Sequence, residues 1–156
     1  MNNVEINKQA RLSQHFTLGE LCKTSAKTQD GNIPSHVHIE NLKRLCGWLE
    51  MLRDEWNRRY GEGNDPIIIN SGYRSEAVNK AVGGVAGSNH LTGCAVDIHV
   101  LGKEQAIRYA CILLDISDES QEPFDELLIE QSAKSIWVHF AVKPKDNRRR
   151  VDFLKK

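Results

Sequence analysis

The stretch Ser88-Asn89-His90-Leu91-Thr92-Gly93-Cys94-Ala95-Val96-Asp97 decides how this chain is organised. It places a histidine and an aspartate, two good ligands for a divalent metal, on either side of a glycine and a run of small or apolar residues. That composition predicts a tight loop that leads directly into a buried strand over residues 94–100. His90 would then lie on the loop and Asp97 on the strand.

The run Trp137-Val138-His139-Phe140, farther along the chain, supplies a third ligand. Two imidazoles and one carboxylate with an open fourth position are typical of a catalytic zinc site, whereas structural zinc sites have four protein ligands. We therefore predict that His90, Asp97 and His139 bind Zn²⁺. His99 shares a strand face with Asp97, so it is an alternative ligand or a hydrogen-bond partner of that carboxylate.

Three motifs in this order resemble the M15 family of zinc peptidases, which includes D-Ala-D-Ala carboxypeptidases and peptidoglycan endopeptidases. They are Ser71-Gly72-Tyr73-Arg74-Ser75, the pair His90 and Asp97, and Trp137-Val138-His139. The resemblance runs over most of the chain and is strongest to the small phage and bacterial members. It implies an α+β fold, shared with the hedgehog signalling domain, in which helices pack on one side of a small, mainly antiparallel sheet.

The resemblance also implies an activity, the hydrolysis of a peptide bond in peptidoglycan stem peptides with Zn²⁺ as cofactor. Carboxypeptidases, D,D-endopeptidases and L-Ala-D-Glu endopeptidases share these motifs, so the bond that is cut stays open. A phage endolysin is one setting for such an enzyme. The alternative is a catalytically inactive metal-binding or cell-wall-binding module, such as a phage structural component.

A zinc peptidase also needs a base that accepts a proton from the attacking water. Some M15 members carry that glutamate three residues before the last histidine, where this chain has Ile136. In the branch that the chain resembles, the glutamate ends the preceding strand, in a pattern similar to Phe124-Asp125-Glu126-Leu127-Leu128-Ile129-Glu130. Glu130 would face His139 across a hairpin and is the predicted catalytic base, with Glu126 as the alternative.

Three further residues are predicted to bind the substrate. Arg74 follows a strand end, has no acidic residue near it in sequence, and could hold a substrate carboxylate through two parallel hydrogen bonds. Tyr73 and Ser88 would add hydrogen bonds. A structural salt bridge for Arg74 and a purely loop-forming role for Ser88 stay open.

Hydrophobic periodicity predicts the surrounding elements. Apolar residues recur at three- and four-residue steps over residues 35–60 and 103–116, which predicts two amphipathic helices. An acidic loop follows at residues 117–123. Apolar runs at 124–131 and 136–142 predict a β-hairpin.

These elements form one predicted domain, residues 1–156, with a core at about residues 12–142. The basic tail, residues 143–156, carries three consecutive arginines that begin at Arg148. We predict that this tail is solvated, with contact to an anionic wall polymer as the alternative.

The overall composition narrows the classes of partner. The chain of 156 residues has 40% hydrophobic and 27% charged residues and a formal net charge of +0, which disfavours binding to nucleic acid. No apolar run approaches the ~20 residues of a membrane span. Residues 1–14 are polar and lack the apolar core of a signal peptide. We therefore expect synthesis in the cytosol and action on the cell wall after release.

Overall fold

The computed structural model describes residues 6–156, which fold as α+β with one five-stranded sheet. The helices are α1 (Leu18–Leu21), α2 (His36–Arg59), α3 (Glu76–Ala81) and α4 (Lys103–Ser120). The strands are β1 (Ile69–Ser71), β2 (Ala95–His99), β3 (Glu126–Gln131), β4 (Ile136–Ala141) and β5 (Arg150–Lys155). The first five residues of the predicted domain lie outside this description. Within residues 6–156, every helix is too short or too polar to cross a membrane.

The order of strands in the sheet is β1-β2-β4-β3-β5. All neighbouring pairs are antiparallel except β3 and β5, which run parallel. This confirms the α+β class and the mainly antiparallel sheet. The pairing of β2 with β4 puts Asp97 opposite His139 at the centre of the sheet.

Helices α2 and α4 cover one face of the sheet. Alternate residues of β2, β3 and β4 are buried against them in the hydrophobic core, and these are Val96, Ile98, Leu127, Ile129, Val138 and Phe140. Because successive side chains of a strand point to opposite faces, the residues between these positions lie on the uncovered face. Asp97 and His139 therefore point away from the helices.

Helix α2 forms the back of the core, as its apolar stripe predicts. Its first turn is capped by Ser35, whose Oγ accepts a hydrogen bond from the His38 backbone N–H. Trp48, from the middle of the helix, packs against Phe140 of β4 and against Phe124, which precedes β3.

Helix α4 is longer than its predicted range and includes the first part of the predicted acidic loop. The extra turn is stabilised because Ile116 and Ser117 are buried, and the Ser117 hydroxyl donates to the Glu122 carbonyl at 2.6 Å. Gln121, in a left-handed conformation with φ of 61°, ends the helix.

The tail is mostly exposed to solvent, as predicted, but residues 150–155 also form the edge strand β5 beside β3, which was not predicted from the sequence. A buried carboxylate anchors this segment. Asp125 accepts hydrogen bonds from the Arg148 backbone N–H, Nε and Nη2 at 3.0, 3.1 and 2.8 Å. Since Asp125 is fully buried, it needs such a partner, and the tail provides it.

Candidate metal centre

The three predicted ligands come together on the uncovered face of the sheet. His90 lies in a short 3-10 turn, Asn89–Thr92, while Asp97 lies on β2 and His139 on β4. Each residue offers one ligand atom, and these atoms all lie within 4.8 Å of one another. Gly93 makes the turn into β2 with φ of 75°, a conformation that favours glycine.

Each imidazole donates a hydrogen bond through one ring nitrogen, and this determines which nitrogen faces the metal centre. His90 Nδ1 donates to the Gly72 carbonyl at 2.7 Å, which leaves Nε2 at 3.3 Å from Asp97 Oδ1. His139 Nε2 donates to Glu126 Oε1 at 3.1 Å, which leaves Nδ1 at 3.0 Å from the same Asp97 oxygen. When a metal ion is bound, these three atoms would present their lone pairs to it, an arrangement that the cation stabilises.

In the metal-free protein, the pKa values of Asp97 and His139 are shifted so that a negative carboxylate lies beside a positive imidazole. Burial alone would raise the pKa of Asp97, but the charge of His90 and the hydrogen bonds from both imidazoles hold it well below its ordinary value. Burial alone would lower the pKa of His139, but hydrogen bonds to Asp97 and Glu126 raise it to about 9. The donor set of two nitrogens and one carboxylate oxygen fits Zn²⁺.

The register of the β3–β4 hairpin differs from the prediction that Glu130 faces His139. Leu128, rather than Glu130, pairs with His139, and Glu130 pairs with Trp137. Glu126 and Glu130 therefore flank Leu128 on the same face of β3, one on each side of His139. Both glutamates line the cavity that opens over the metal ligands.

The two glutamates have different hydrogen-bond partners. Glu126 Oε1 accepts from His139 Nε2 and also from Asn89 Nδ2 at 2.7 Å. The hydrogen bond from His139 is the largest influence on Glu126 and lowers its pKa. Glu130 is only 5% exposed, and its Oε2 lies 3.4 Å from Lys156 Nζ. Glu126 thus orients the metal ligand His139. Glu130, in contrast, accepts no hydrogen bond from a histidine within the described residues.

Arg74 is half-buried beside the ligands and forms a salt bridge, the alternative that its sequence context left open. Its Nη2 lies 3.3 Å from Asp97 Oδ2, while Nε donates to Ser71 Oγ at 3.1 Å and Nη1 to Asn79 Oδ1 at 3.3 Å. Within the described chain this leaves one N–H on each terminal nitrogen, and the guanidinium lines the cavity. Arg74 thus holds Asp97 in place and keeps donors for a ligand.

Of the other residues considered for the site, Ser88 lies at the cavity, whereas Tyr73 and His99 lie elsewhere. Tyr73 is buried and stacks on His38 with ring centroids 4.8 Å apart, so the structure does not bring it together with the residues that line the cavity. Ser88 lines the cavity and caps the 3-10 turn, its Oγ accepting from the His90 N–H at 3.2 Å. His99 belongs to a separate cavity and is outside the ligand cluster.

The cavity over the ligands has a volume of about 680 Å³, and its lining extends beyond the predicted site residues. Trp137 lines it with a buried Nε1 that has no hydrogen-bond partner in the described chain. Asn89 and four basic residues also line it, and the latter are Lys143, Arg148, Arg150 and Lys156. The alternation of charged and apolar residues at positions 150–153 is a strand signal that would have placed the last part of the tail in the sheet.

A centre with two imidazoles, one carboxylate and an open side is typical of catalytic zinc sites. The sequence model of the family Peptidase M15 matches residues 14–139, so the chain belongs to the M15 peptidase family. The chain is also 29% identical over 84 residues, 54% of its length, to the zinc D-Ala-D-Ala carboxypeptidase of Streptomyces albus G. It spans 31% of that relative's length. The chain is therefore a domain of the M15 peptidase family, with Zn²⁺ as its cofactor.

Proposed function

We propose that this peptidase acts on peptidoglycan stem peptides as a D,D-carboxypeptidase. The observation that carries the proposal is the position of Arg74, whose Nη2 lies 3.3 Å from Asp97 Oδ2. An arginine so close to a metal ligand can bind a carboxylate only next to the scissile bond, which is where a terminal D-residue carries it. Similarity to a D-Ala-D-Ala carboxypeptidase supports the same substrate class.

Each residue of the centre has a role in this reaction. Zinc, when bound by His90, Asp97 and His139, polarises the peptide carbonyl and lowers the pKa of water toward neutrality. Glu130 accepts a proton on its carboxylate and passes it to the departing amine. We assign this role to Glu130 rather than Glu126, because Glu126 Oε1 already accepts hydrogen bonds from His139 and Asn89.

The remaining side chains position the substrate. The free N–H groups of Arg74 bind its terminal carboxylate while the other donors of the guanidinium keep Asp97 in place. The Ser88 hydroxyl, whose residue lines the cavity, is a donor for a backbone carbonyl of the peptide, and the Trp137 ring forms part of the wall.

The test is digestion of a defined stem pentapeptide that ends in D-Ala-D-Ala by the zinc-loaded protein, with the products analysed by mass spectrometry. We expect release of the terminal D-Ala. Glu130→Gln is the matched control, because it keeps the side-chain shape and all three ligands. It should retain zinc and lose about 10²–10⁴ in rate, the usual contribution of general acid–base catalysis.

Two other results would change the assignment. New internal termini instead of free D-Ala would show an endopeptidase and contradict the carboxypeptidase mode. Full activity of Glu130→Gln would contradict its role as the base.

A further inference from the structure

Strand β5 brings a row of charged side chains to the edge of the cavity. It runs parallel to β3 with Arg150 in register with Glu126, and Leu154 with Glu130. Paired residues of neighbouring strands lie on the same face, so Arg150 points to the side of the metal ligands. This strand follows residue 139, where the match to the family ends.

The cavity has an excess of positive charge before any metal is bound. Among the described residues that line it, five are lysine or arginine and three are aspartate or glutamate. Asp125, buried beneath the cavity, offsets one further cation through its contact with Arg148. Zn²⁺ adds two positive charges. A ligand that carries several negative charges is therefore favoured over a neutral one.

Arg150, the first residue of β5, has more donors available than the neighbouring Arg148. Arg148 is committed to Asp125 by two side-chain hydrogen bonds. The guanidinium of Arg150, in contrast, makes no hydrogen bond to any residue within 6–156. It lies 3.6 Å from Glu126 Oε2 and 3.9 Å from Asp152 Oδ2, and its side chain is 44% exposed. Such exposed, loosely paired charges contribute little to stability, so a carboxylate can replace them at small cost.

The sheet order places Arg150 and Arg74 on opposite sides of the ligands. Arg74 follows β1 at one edge, and β5 is the other edge, two strands beyond the His139 strand. Strands lie about 4.8 Å apart, so Arg150 is about 10 Å from that strand, a length that an extended peptide covers in about three residues. Two carboxylates on one substrate could therefore be bound at once.

We propose that Arg150 forms a second carboxylate subsite on the cavity wall. The preferred substrate is a peptide that carries an acidic group about three residues from the scissile bond, on the side away from Arg74. This inference rests on the proposed peptidase function and specifies its substrate further.

Binding to metal-free protein tests the subsite without turnover. The probes are acetyl-L-Ala-γ-D-Glu-L-Lys-D-Ala-D-Ala and the same peptide with the D-Glu carboxylate amidated, measured by isothermal titration calorimetry. We expect the wild type to bind the acidic peptide roughly tenfold more tightly, the contribution of one charge-assisted hydrogen-bond pair. Arg150→Gln should lose this preference.

Lys155→Gln is the matched control, because it removes the same charge from the same strand. Lys155 alternates with Leu154 and lines a different cavity, on the helix side. It should keep the preference for the acidic peptide. Equal affinities of the wild type for the two peptides, or an equal loss of preference in both variants, would overturn the subsite.

Turnover by the zinc-loaded wild type separates this inference from the proposed function. Cleavage of both peptides with the same KM would overturn the subsite and leave the peptidase function standing. Cleavage of neither would contradict the proposed function, while the affinity ratio in metal-free protein would still decide the subsite. A lower KM for the acidic peptide, raised by Arg150→Gln, would support both.

Discussion

At the scale of single residues, the orientation of His139 depends on a carboxylate that does not bind the metal. Glu126 accepts the Nε2–H, so the lone pair of Nδ1 points to Asp97 and the ion. Asn89 in turn donates to the same Glu126 oxygen and, through the same amide nitrogen, to Asp125 at 2.9 Å. Ring orientation is therefore determined by a chain of contacts that reaches back to the buried anchor of the tail.

This contact predicts a specific effect on zinc affinity. Glu126→Ala removes the acceptor and should weaken zinc binding about 10- to 100-fold, the usual effect of losing a hydrogen bond to a ligating histidine. Glu126→Gln keeps an acceptor oxygen and should stay close to the wild type. Competition with a chromophoric chelator measures both affinities. Unchanged affinity in Glu126→Ala would mean that the histidine is held by other contacts.

At the scale of elements, the turn between the 3-10 helix and β2 sets the spacing of His90 and Asp97. Gly93 has φ of 75°, and a Cβ there would lie 2.6 Å from the His38 carbonyl oxygen of α2. The turn is therefore closely packed on the long helix as well as left-handed. Any side chain at this position must displace one of the two elements.

Substitution of Gly93 distinguishes the strain of its left-handed conformation from the steric contact with α2. Gly93→Ala should lower the free energy of unfolding by more than the ~1–2 kcal/mol of left-handed strain alone, because the methyl group also meets the helix. Gly87→Ala is the control, since Gly87 has φ of 76° and no described atom within 4 Å of its added Cβ. Urea denaturation measures both variants. Equal losses would show that the contact with α2 has no energetic effect.

At the scale of the whole molecule, Asp125 joins the hairpin to the end of the chain. Its buried carboxylate binds Arg148 and lies 3.5 Å from Lys143 Nζ, so the tail is held where β5 can pair with β3. Burial alone would raise the pKa of Asp125, but hydrogen bonds from Arg148 and Asn89 hold it well below its ordinary value. The contact therefore stabilises the fold only while this carboxylate is ionised.

The sign of this pKa shift predicts a dependence on pH. Because the pKa is lower in the folded than in the unfolded protein, the stabilisation is complete above the unfolded value of about 3.9 and is lost as the pH falls below it. Asp125→Asn should cost about 2 kcal/mol near pH 7, since hydrogen bonds to a charged group are lost. The difference from the wild type should shrink below about pH 4.

Thermal unfolding from pH 3 to pH 7 measures this difference. Asp54→Asn is the control, because Asp54 is exposed and forms no salt bridge with any residue in the described range. It should change stability little at every pH. A constant difference between Asp125→Asn and the wild type across the range would contradict the role of the ionised carboxylate.

The sequence by itself predicted the zinc cofactor, the main helices and strands, and the three candidate ligands that the structure brings together. His90, Asp97 and His139 could be found because metal ligation depends on the chemistry of single side chains and on local loop and strand patterns. Tertiary structure decided which glutamate contacts His139, since the register between β3 and β4 is set by hydrogen bonds between strands and not by either strand alone. It also decided that Arg74 pairs with Asp97.

The position of the tail also depends on tertiary structure, because its strand pairs with a strand from another part of the chain. Residues 143–156 are basic, and local composition alone predicts a solvated segment. Their place in the sheet depends on the backbone hydrogen bonds that β3 offers and on the buried charge of Asp125, both contributed by residues that precede the tail in sequence. Contacts between distant parts of a chain are not encoded in local propensity, so β5 and its cations at the cavity became visible only in the folded protein.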